Sequence, residues 1–422
     1  MTPEVKKRIE QIRHGIVPEG YKRTKAGIYP EDWTEYTLGD IYTERKEPGN
    51  ENLPLLMVSI HSGVSDGEVD EAELPKKVKR IEDKSQYKRA ASGDLVFNMM
   101  RAWQGAIGTV RTEGMVSPAY IVAEPNGLVD PLFMDYLMRT PRMVGTIHKQ
   151  SYGVTDFRLR LYWDSFAPIH CVLPSVPEQE KIGELVDIQN KVIDLKEKLL
   201  AEKQRQKKYL MQQLLTGKKR LTGFGGEWRS VKLSEVLFER KEKNANQDHR
   251  ICSVAVQKGV VDQIEHLGRS YAAADTSNYG VAHFGDIIYT KSPTGDFPYG
   301  IIKQSHMKEA VAISPLYGIY EPACYELGYL LHTYFSNAAN CLNYLTPIVH
   351  KGAKNTINIT NDVFVSQKLY LPIDEAEQKA LASIFVAVDR EIELLRQNIE
   401  QEKQKKKALM QLLLTGIVRV NA

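Results

Sequence analysis

Residues 178–217 open on Glu178-Gln179-Glu180-Lys181-Ile182 and close on Leu214-Leu215-Thr216-Gly217, and between those ends the sequence is dominated by Glu, Lys, Gln and Leu. The same signature returns as Glu377-Gln378 through Leu413-Leu414-Thr415-Gly416, at a constant offset of 199 residues. That period is far too long for a solenoid repeat. Upstream, Trp33, Leu38, Asp40, Ile41 and Glu44-Arg45-Lys46-Glu47 answer to Trp228, Leu233, Glu235, Val236 and Glu239-Arg240-Lys241-Glu242 at an offset of 195. The chain therefore reads as a tandem duplication: globular unit then long helix, twice. The N-terminal stretch Ile9-Glu10-Gln11-Ile12-Arg13-His14-Gly15-Ile16-Val17 echoes Met410–Val418. It is read as a helix tail lying beside the C-terminal helix end, which would make the molecule cyclic with pseudo-two-fold symmetry.

The expected division is an N-terminal helix and linker over 1–30, a first globular domain over 31–174, a central helix over 175–217, a second globular domain over 218–372, and a C-terminal helix over 373–422. The fold class is α/β (α+β), tandemly duplicated, with the two long helices forming an antiparallel coiled coil. With 422 residues the chain suffices for two ordinary domains and their connecting helices. Lys+Arg number 56 against 53 Asp+Glu, a formal net charge of +3, so any nucleic-acid surface must arise from charge placement. No apolar run reaches a membrane span and the N-terminus lacks a signal-peptide core, so a cytoplasmic location is expected. Cys171, Cys252, Cys324 and Cys341 form no CxxC pair and read as buried free thiols.

Between Pro177 and Gly217 there is no proline, which predicts one long helix. Its apolar seam is read at Leu185, Ile188, Val192, Leu195 and Leu199, and that of the second copy at Ile392, Leu395, Ile399, Leu409 and Leu413. A helix of this length spans roughly 58 Å. Each helix is acidic in its first half (Glu178, Glu184, Asp187, Asp194; Glu377, Asp389, Glu391) and basic in its second (Lys203, Arg205, Lys207; Lys403, Lys405, Lys406). Antiparallel pairing sets acid against base, with each pair contributing about 0.3–0.5 kcal/mol. The bland alternative is that these charges solvate each helix and suit its dipole. Gly217 and Gly416 are placed as left-handed C-caps. The second copy approaches its Glu-Gln through one extra residue and without the second proline, which predicts an earlier helix start.

In each globular unit short apolar runs read as strands: 55–60, 95–99 and 120–122 in the first, 251–256, 287–290 and 317–320 in the second. Residues 131–143 and 323–335 read as amphipathic helices. Gly93-Asp94 and Gly285-Asp286 are shared landmarks, as are Ser117-Pro118 and Ser314-Pro315. What differs lies between landmarks. After the Gly-Asp strand the first unit has Met100-Arg101-Ala102-Trp103-Gln104-Gly105, the second Lys291-Ser292-Pro293-Thr294-Gly295 and onward to Tyr299. Such side chains supply donors, acceptors and stacking surfaces for base edges. Further polar loops surround Gly153 and Gly352. The candidate DNA-binding residues are Arg101, Trp103, Gln104, Tyr152, Thr155 and Arg158 in the first unit, and Lys291, Ser292, Thr294, Tyr299, Lys351, Lys354 and Asn355 in the second. Trp103 and Tyr299 read equally well as core aromatics, and the polar loops as surface turns. The basic run Lys76-Lys77-Val78-Lys79-Arg80 reads more often as a solvated face.

No GxxxxGK[ST] phosphate loop occurs, no Pro-Pro dipeptide of the kind that holds a flipped base, and the ten histidines form no HExxH. The reading is a non-catalytic binding subunit.

Two diverged domains, each closed by Leu-Pro, then Glu-Gln, a long helix and Leu-Leu-Thr-Gly, with a Trp-x4-Leu-x-(Asp/Glu)-(Ile/Val) entry, resemble the specificity (S) subunit of Type I restriction–modification systems. The resemblance implies two target recognition domains that each read one half of a split, asymmetric DNA site. It implies helices that act as spacer and dock two methyltransferase (M) subunits, with restriction (R) subunits joining that core. It implies no cofactor in this chain: S-adenosylmethionine belongs to M, and ATP and Mg to R. Rival readings are a coiled-coil adaptor whose globular domains bind protein, and a fragment of a fused methyltransferase-nuclease.

Overall fold

In the computed structural model, which describes residues 2–67, 83–155, 158–351 and 357–420, the two segments rich in Glu, Lys, Gln and Leu form helices of 39 residues each, Val176–Leu214 and Glu375–Leu413. Both begin two residues before their Glu-Gln pair, so the earlier start expected for the second is not found. The extra residue is absorbed ahead of the helix, where Asp374 accepts a hydrogen bond from the Ala376 amide at 2.8 Å.

By its internal contacts the chain forms two units, one made of Met1–Lys196 with Asn398–Ala422 and the other of Glu197–Gln397. Each long helix therefore contributes its head to one unit and its tail to the other. Within the first unit Gln189 donates to Glu402 at 2.8 Å and Lys196 reaches both Glu402, at 2.8 Å, and Asn398. In the second, Lys203 bonds Glu391 at 2.9 Å and Lys207 bonds Asp389. In both units numbers rise along one helix as they fall along the other, so the paired segments run antiparallel.

The seam assigned to the first helix is displaced. Leu185, Ile188, Leu195 and Leu199 are 41%, 57%, 65% and 48% exposed, and Val192 is half-buried. The buried face runs instead through Ile182, Val186, Ile193, Met211 and Leu214. In the second helix Ile392, Ile399 and Leu413 are buried and Leu395 and Leu409 half-buried. Subtracting the 199-residue repeat from that set gives Ile193, Lys196, Leu200, Leu210 and Leu214. These are the positions turned inward. The reason lies in Lys196, Lys203 and Lys207: their stems cover the interface while their ammonium groups reach the partner's acids, so a polar residue occupies a seam position that an apolar count passes over.

Glu402 sits at the centre of this pairing, hydrogen-bonded by Lys196, Gln189 and Lys405, and these bonds hold its carboxyl down to about 2. A depressed folded value means that the stabilisation is present above the unfolded glutamate value of about 4.3 and is lost as pH falls toward the folded one. Acid titration followed by circular dichroism is expected to show helix pairing weakening between those limits, and Glu402→Gln to remove that part of the pH dependence.

Each unit carries a four-stranded antiparallel sheet of the same order. In the first it is Tyr42–Arg45, Tyr120–Pro125, Leu95–Asn98, Ile107–Thr109; in the second, Leu237–Glu239, Gly318–Pro322, Ile287–Tyr289, Ile302–Gln304. With its helices, each unit is α+β. Of the expected strand 55–60, Val58–Ser59 forms a strand, paired with Gly63–Val64, and Leu55 makes an isolated bridge to Met115. The expected helix over 131–143 is two, Pro131–Met138 and Pro141–Gln150: Pro141 has no amide hydrogen to continue the first, and Thr140 caps the second by accepting from Met143. Residues 21–30, expected as linker, form a hairpin of Tyr21–Thr24 with Gly27–Pro30.

The shared landmarks are joints. Arg45 bonds the buried Asp94 at 2.7 Å and Arg240 bonds the buried Asp286 at 2.7 Å, tying the first sheet strand to the Gly-Asp turn in each copy. Gln179 donates to the Pro174 carbonyl and Gln378 to that of Pro372, so the Gln of each Glu-Gln pair fixes the strand exit to the helix start.

Candidate nucleic-acid interface

Strand Leu95–Asn98 is held in the sheet by three fully buried residues, and Asn98 turns the chain out of it by accepting from the Met100 amide at 2.9 Å. The next residues form a short 3-10 turn, Ala102–Gln104, closed by Gly105 at φ 101°. Ala102 points into the core, which sets Arg101 and Gln104 outward, both exposed, and leaves Trp103 half-buried. The Trp103 indole donates to the Met100 carbonyl at 3.0 Å and its ring lies 5.6 Å from that of His148, at the end of helix Pro141–Gln150.

The second polar loop comes to the same place. The Leu161 amide donates to the Met99 carbonyl at 2.9 Å, and Tyr152 exchanges backbone hydrogen bonds with Arg160 at 3.0 and 2.9 Å. The Tyr152 ring packs at 5.4 Å on Tyr162. Thr155 and Arg158 are exposed on the excursion between, with the Arg158 amide bonded to the Thr155 carbonyl. All six candidates of the first unit thus lie on two loops joined edge to edge. Arg101, Lys149, Arg158 and Arg160 are exposed and make no ion pair among the described residues. Cations without an ion pair, beside the exposed Tyr152 ring and the half-buried Trp103 and Tyr162, suit phosphate contact and base stacking. Sequence reading misses His148, Arg160 and Tyr162. The available signal is the alternation Arg158, Arg160, which sets two arginines on one side of an extended chain.

The second unit builds its loop differently. Lys291 adopts φ 54° and its ammonium donates to Asn361 at 2.5 Å, so this cation is committed within the unit, and burial lowers its pKa. Asn361 in turn donates to Glu239. Ser292 is exposed and its carbonyl accepts from the Thr294 hydroxyl, while the Thr294 and Phe297 backbones bond each other to make a tight turn. Tyr299 packs its ring against the apolar core and gives its carbonyl to the Tyr289 hydroxyl at 2.7 Å. Asn361 also joins this loop to the segment after the hairpin His350–Lys351 with Ile357–Asn358. Lys351 lies on that hairpin; Lys354 and Asn355 fall outside the described residues, as does the run 76–80. On the strand that follows the loop, Ile302–Gln304, Lys303 is buried, its pKa lowered to about 8 by desolvation. The neighbouring Gln304 amide donates to His332 Nδ1 at 3.0 Å, and burial keeps that imidazole neutral.

No helix among the described residues is long and apolar enough to cross a membrane. No family model matches the chain. The Type I restriction enzyme MjaVIII specificity subunit of Methanocaldococcus jannaschii is 23% identical over 446 residues, covering 95% of this chain and 96% of that protein. The chain resembles Type I specificity subunits from end to end. The crystal structure of a Type I restriction-modification system S subunit from M. genitalium superposes with a TM-score of 0.56 at 10% identity, covering 90% of this chain and 96% of that one. At that identity the structural likeness is one of fold. In both comparisons the likeness runs over nine-tenths or more of each chain.

Proposed function

We propose that this chain is the DNA sequence-recognition subunit of a Type I restriction–modification complex. The observation that carries the reading is one scaffold with two different loop sets: the same sheet order, Arg–Asp joint and helix ends occur twice, while 99–104 and 290–299 differ in residues, length and conformation before each closes on a left-handed glycine, Gly105 and Gly300. Two target recognition domains, 31–174 and 218–372, each read one half of a bipartite, asymmetric site. The long helices act as an antiparallel coiled coil that fixes the spacing, and each unit's equal inventory of one domain, one helix head and one helix tail supports a cyclic pseudo-two-fold plan. Leu185, Ile188 and Leu195, left exposed on the first helix, are available to docked methyltransferase subunits, and restriction subunits join through these. The chain itself is non-catalytic; S-adenosylmethionine is held by M, and ATP and Mg by R.

Arg101→Ala is expected to weaken binding of a cognate duplex by the equivalent of about 1–3 kcal/mol and to relax selectivity in one half-site only. Affinity should also fall steeply with salt, as phosphate contacts require. Duplex titrations of the S–M complex at several salt concentrations, with mapping of methylated adenines, test both. Binding indifferent to salt and to Arg101 would overturn the reading in favour of a protein-binding adaptor.

A further inference from the structure

The duplication is unequal at one place. In the first unit Arg8, Tyr21, Tyr29 and Pro30 lie on the face formed by Trp33, the strand His170–Leu173 and the end of the second long helix. Tyr29 is buried with its ring stacked 5.9 Å from Trp33. The Tyr21 hydroxyl donates to the Gly416 carbonyl at 2.7 Å, and Arg8 donates to the Ile417 carbonyl at 2.5 Å while lying over the Tyr21 ring.

In the second unit the corresponding stretch, 218–227, forms no strand, and of it Leu221 packs on the local apolar cluster. A cavity of about 150 Å³ remains, lined by Leu215, Trp228, Leu369, Leu371 and Leu381 among others. By the two repeat offsets and the strand registers, these residues correspond to Leu414, Trp33, Cys171, Leu173 and Ile182 of the first unit. On the cavity wall Tyr370 is 54% exposed, whereas its counterpart Val172 is 2% exposed. The carbonyls of Gly217 and Lys218, equivalents of Gly416 and Ile417, receive no hydrogen bond among the described residues. The apolar wall, the half-exposed Tyr370 ring that packs 5.6 Å from Trp228, and the two acceptors occur together, and the first unit displays the chemistry that satisfies all three.

We infer that this face of the second unit is a docking site for a segment of a partner protein that presents two aromatic rings, one of them a tyrosine, and a basic residue, as Tyr29, Tyr21 and Arg8 do in the first unit. The occupant is a partner's because the chain's own segment is already engaged in the first unit through Tyr21, Tyr29 and Arg8. A ring packs against the half-exposed Tyr370 at the mouth of the cavity, a hydroxyl donates to the Gly217 carbonyl, and a cation reaches the Lys218 carbonyl. This stands apart from the reading of DNA recognition, and its test contains no DNA.

The probe is a fluorescently labelled peptide of residues 1–32 added in trans to the full chain and followed by anisotropy. Saturable one-to-one binding is expected. Tyr29→Ala in the peptide should weaken it about tenfold or more, and Tyr21→Phe by a smaller factor. In the protein Leu369→Trp, which fills the cavity, and Thr216→Arg, on its exposed rim, should each abolish binding; circular dichroism of both variants establishes that they are folded. Absence of peptide binding to the parent chain, or binding that survives both folded variants, overturns the inference.

Discussion

Replacing Arg220 by alanine should destabilise the second unit by about 2–4 kcal/mol, because it strands a carboxylate that has no other charge partner among the described residues. Glu377 is fully buried. Arg220 gives it two hydrogen bonds, at 2.8 and 2.7 Å, donates a third to the Gly226 carbonyl at 2.8 Å, and lies 5.6 Å over the Trp228 ring. Without the guanidinium, Glu377 keeps the Trp228 indole at 3.1 Å and little else. The lower part of the range allows for Arg220 being about a third exposed, at 31% of its side chain. Arg220→Lys should recover only part of the loss, since one ammonium cannot serve two carboxylate oxygens, a peptide carbonyl and a ring face together. Glu377→Gln, which removes the charge to be stranded, should cost less than Arg220→Ala. Arg419 makes the same fork to buried Glu178, with both bonds at 2.7 Å, in the first unit. Denaturant midpoints read by tryptophan emission measure the effect, and a loss below about 0.5 kcal/mol would assign the fork to surface electrostatics.

Alanine at Gly416 is expected to cost about 2–4 kcal/mol, and at Gly217 about 1–2. Both glycines are left-handed, at φ 68° and 69°, so the conformational part is shared. The steric part is not. A methyl group on Gly416 would lie 2.6 Å from the Pro30 ring and 3.2 Å from Trp33, whereas on Gly217 it meets Trp228 and Tyr370 at 3.2 Å. Pro30 is fixed within a hairpin; Tyr370 is half in solvent and can turn aside. Thermal unfolding of the two variants side by side decides the matter, and equal losses would show that backbone strain alone governs both caps.

Much of the architecture is legible in the residues because long helices and duplicated landmarks are dictated locally. Glu178-Gln179 and Leu-Leu-Thr-Gly stand out as motifs, and their contacts explain why: the Glu receives an arginine, the Gln closes the strand exit, and the Gly turns the helix off beside a tryptophan. The Gly-Asp landmark is equally local in sequence, but its partner, the arginine of Glu-Arg-Lys-Glu, is joined to it only by the fold. An apolar count misplaces the seam of the first helix because lysines share it. The hairpin 21–30 escapes notice because its turn, Lys25-Ala26, lies in a polar stretch without alternating apolar residues. For the recognition loops, sequence locates them without their internal geometry: it cannot tell that Lys291 is spent on Asn361 while Arg101 and Arg158 stay free. Such outcomes hinge on which residue from a distant segment arrives alongside, a tertiary matter.

The crossing of each long helix from one unit into the other also orders events during synthesis. Glu197–Gln397 is a single uninterrupted stretch, whereas the first unit needs Asn398–Ala422 to join Met1–Lys196, with Arg419 meeting Glu178 across 241 positions. As the ribosome moves from N- to C-terminus, the middle of the polypeptide can mature while its beginning waits for Asn398–Ala422 to emerge. A message cut short before those residues would therefore spare the interior half and leave the leading half unfinished.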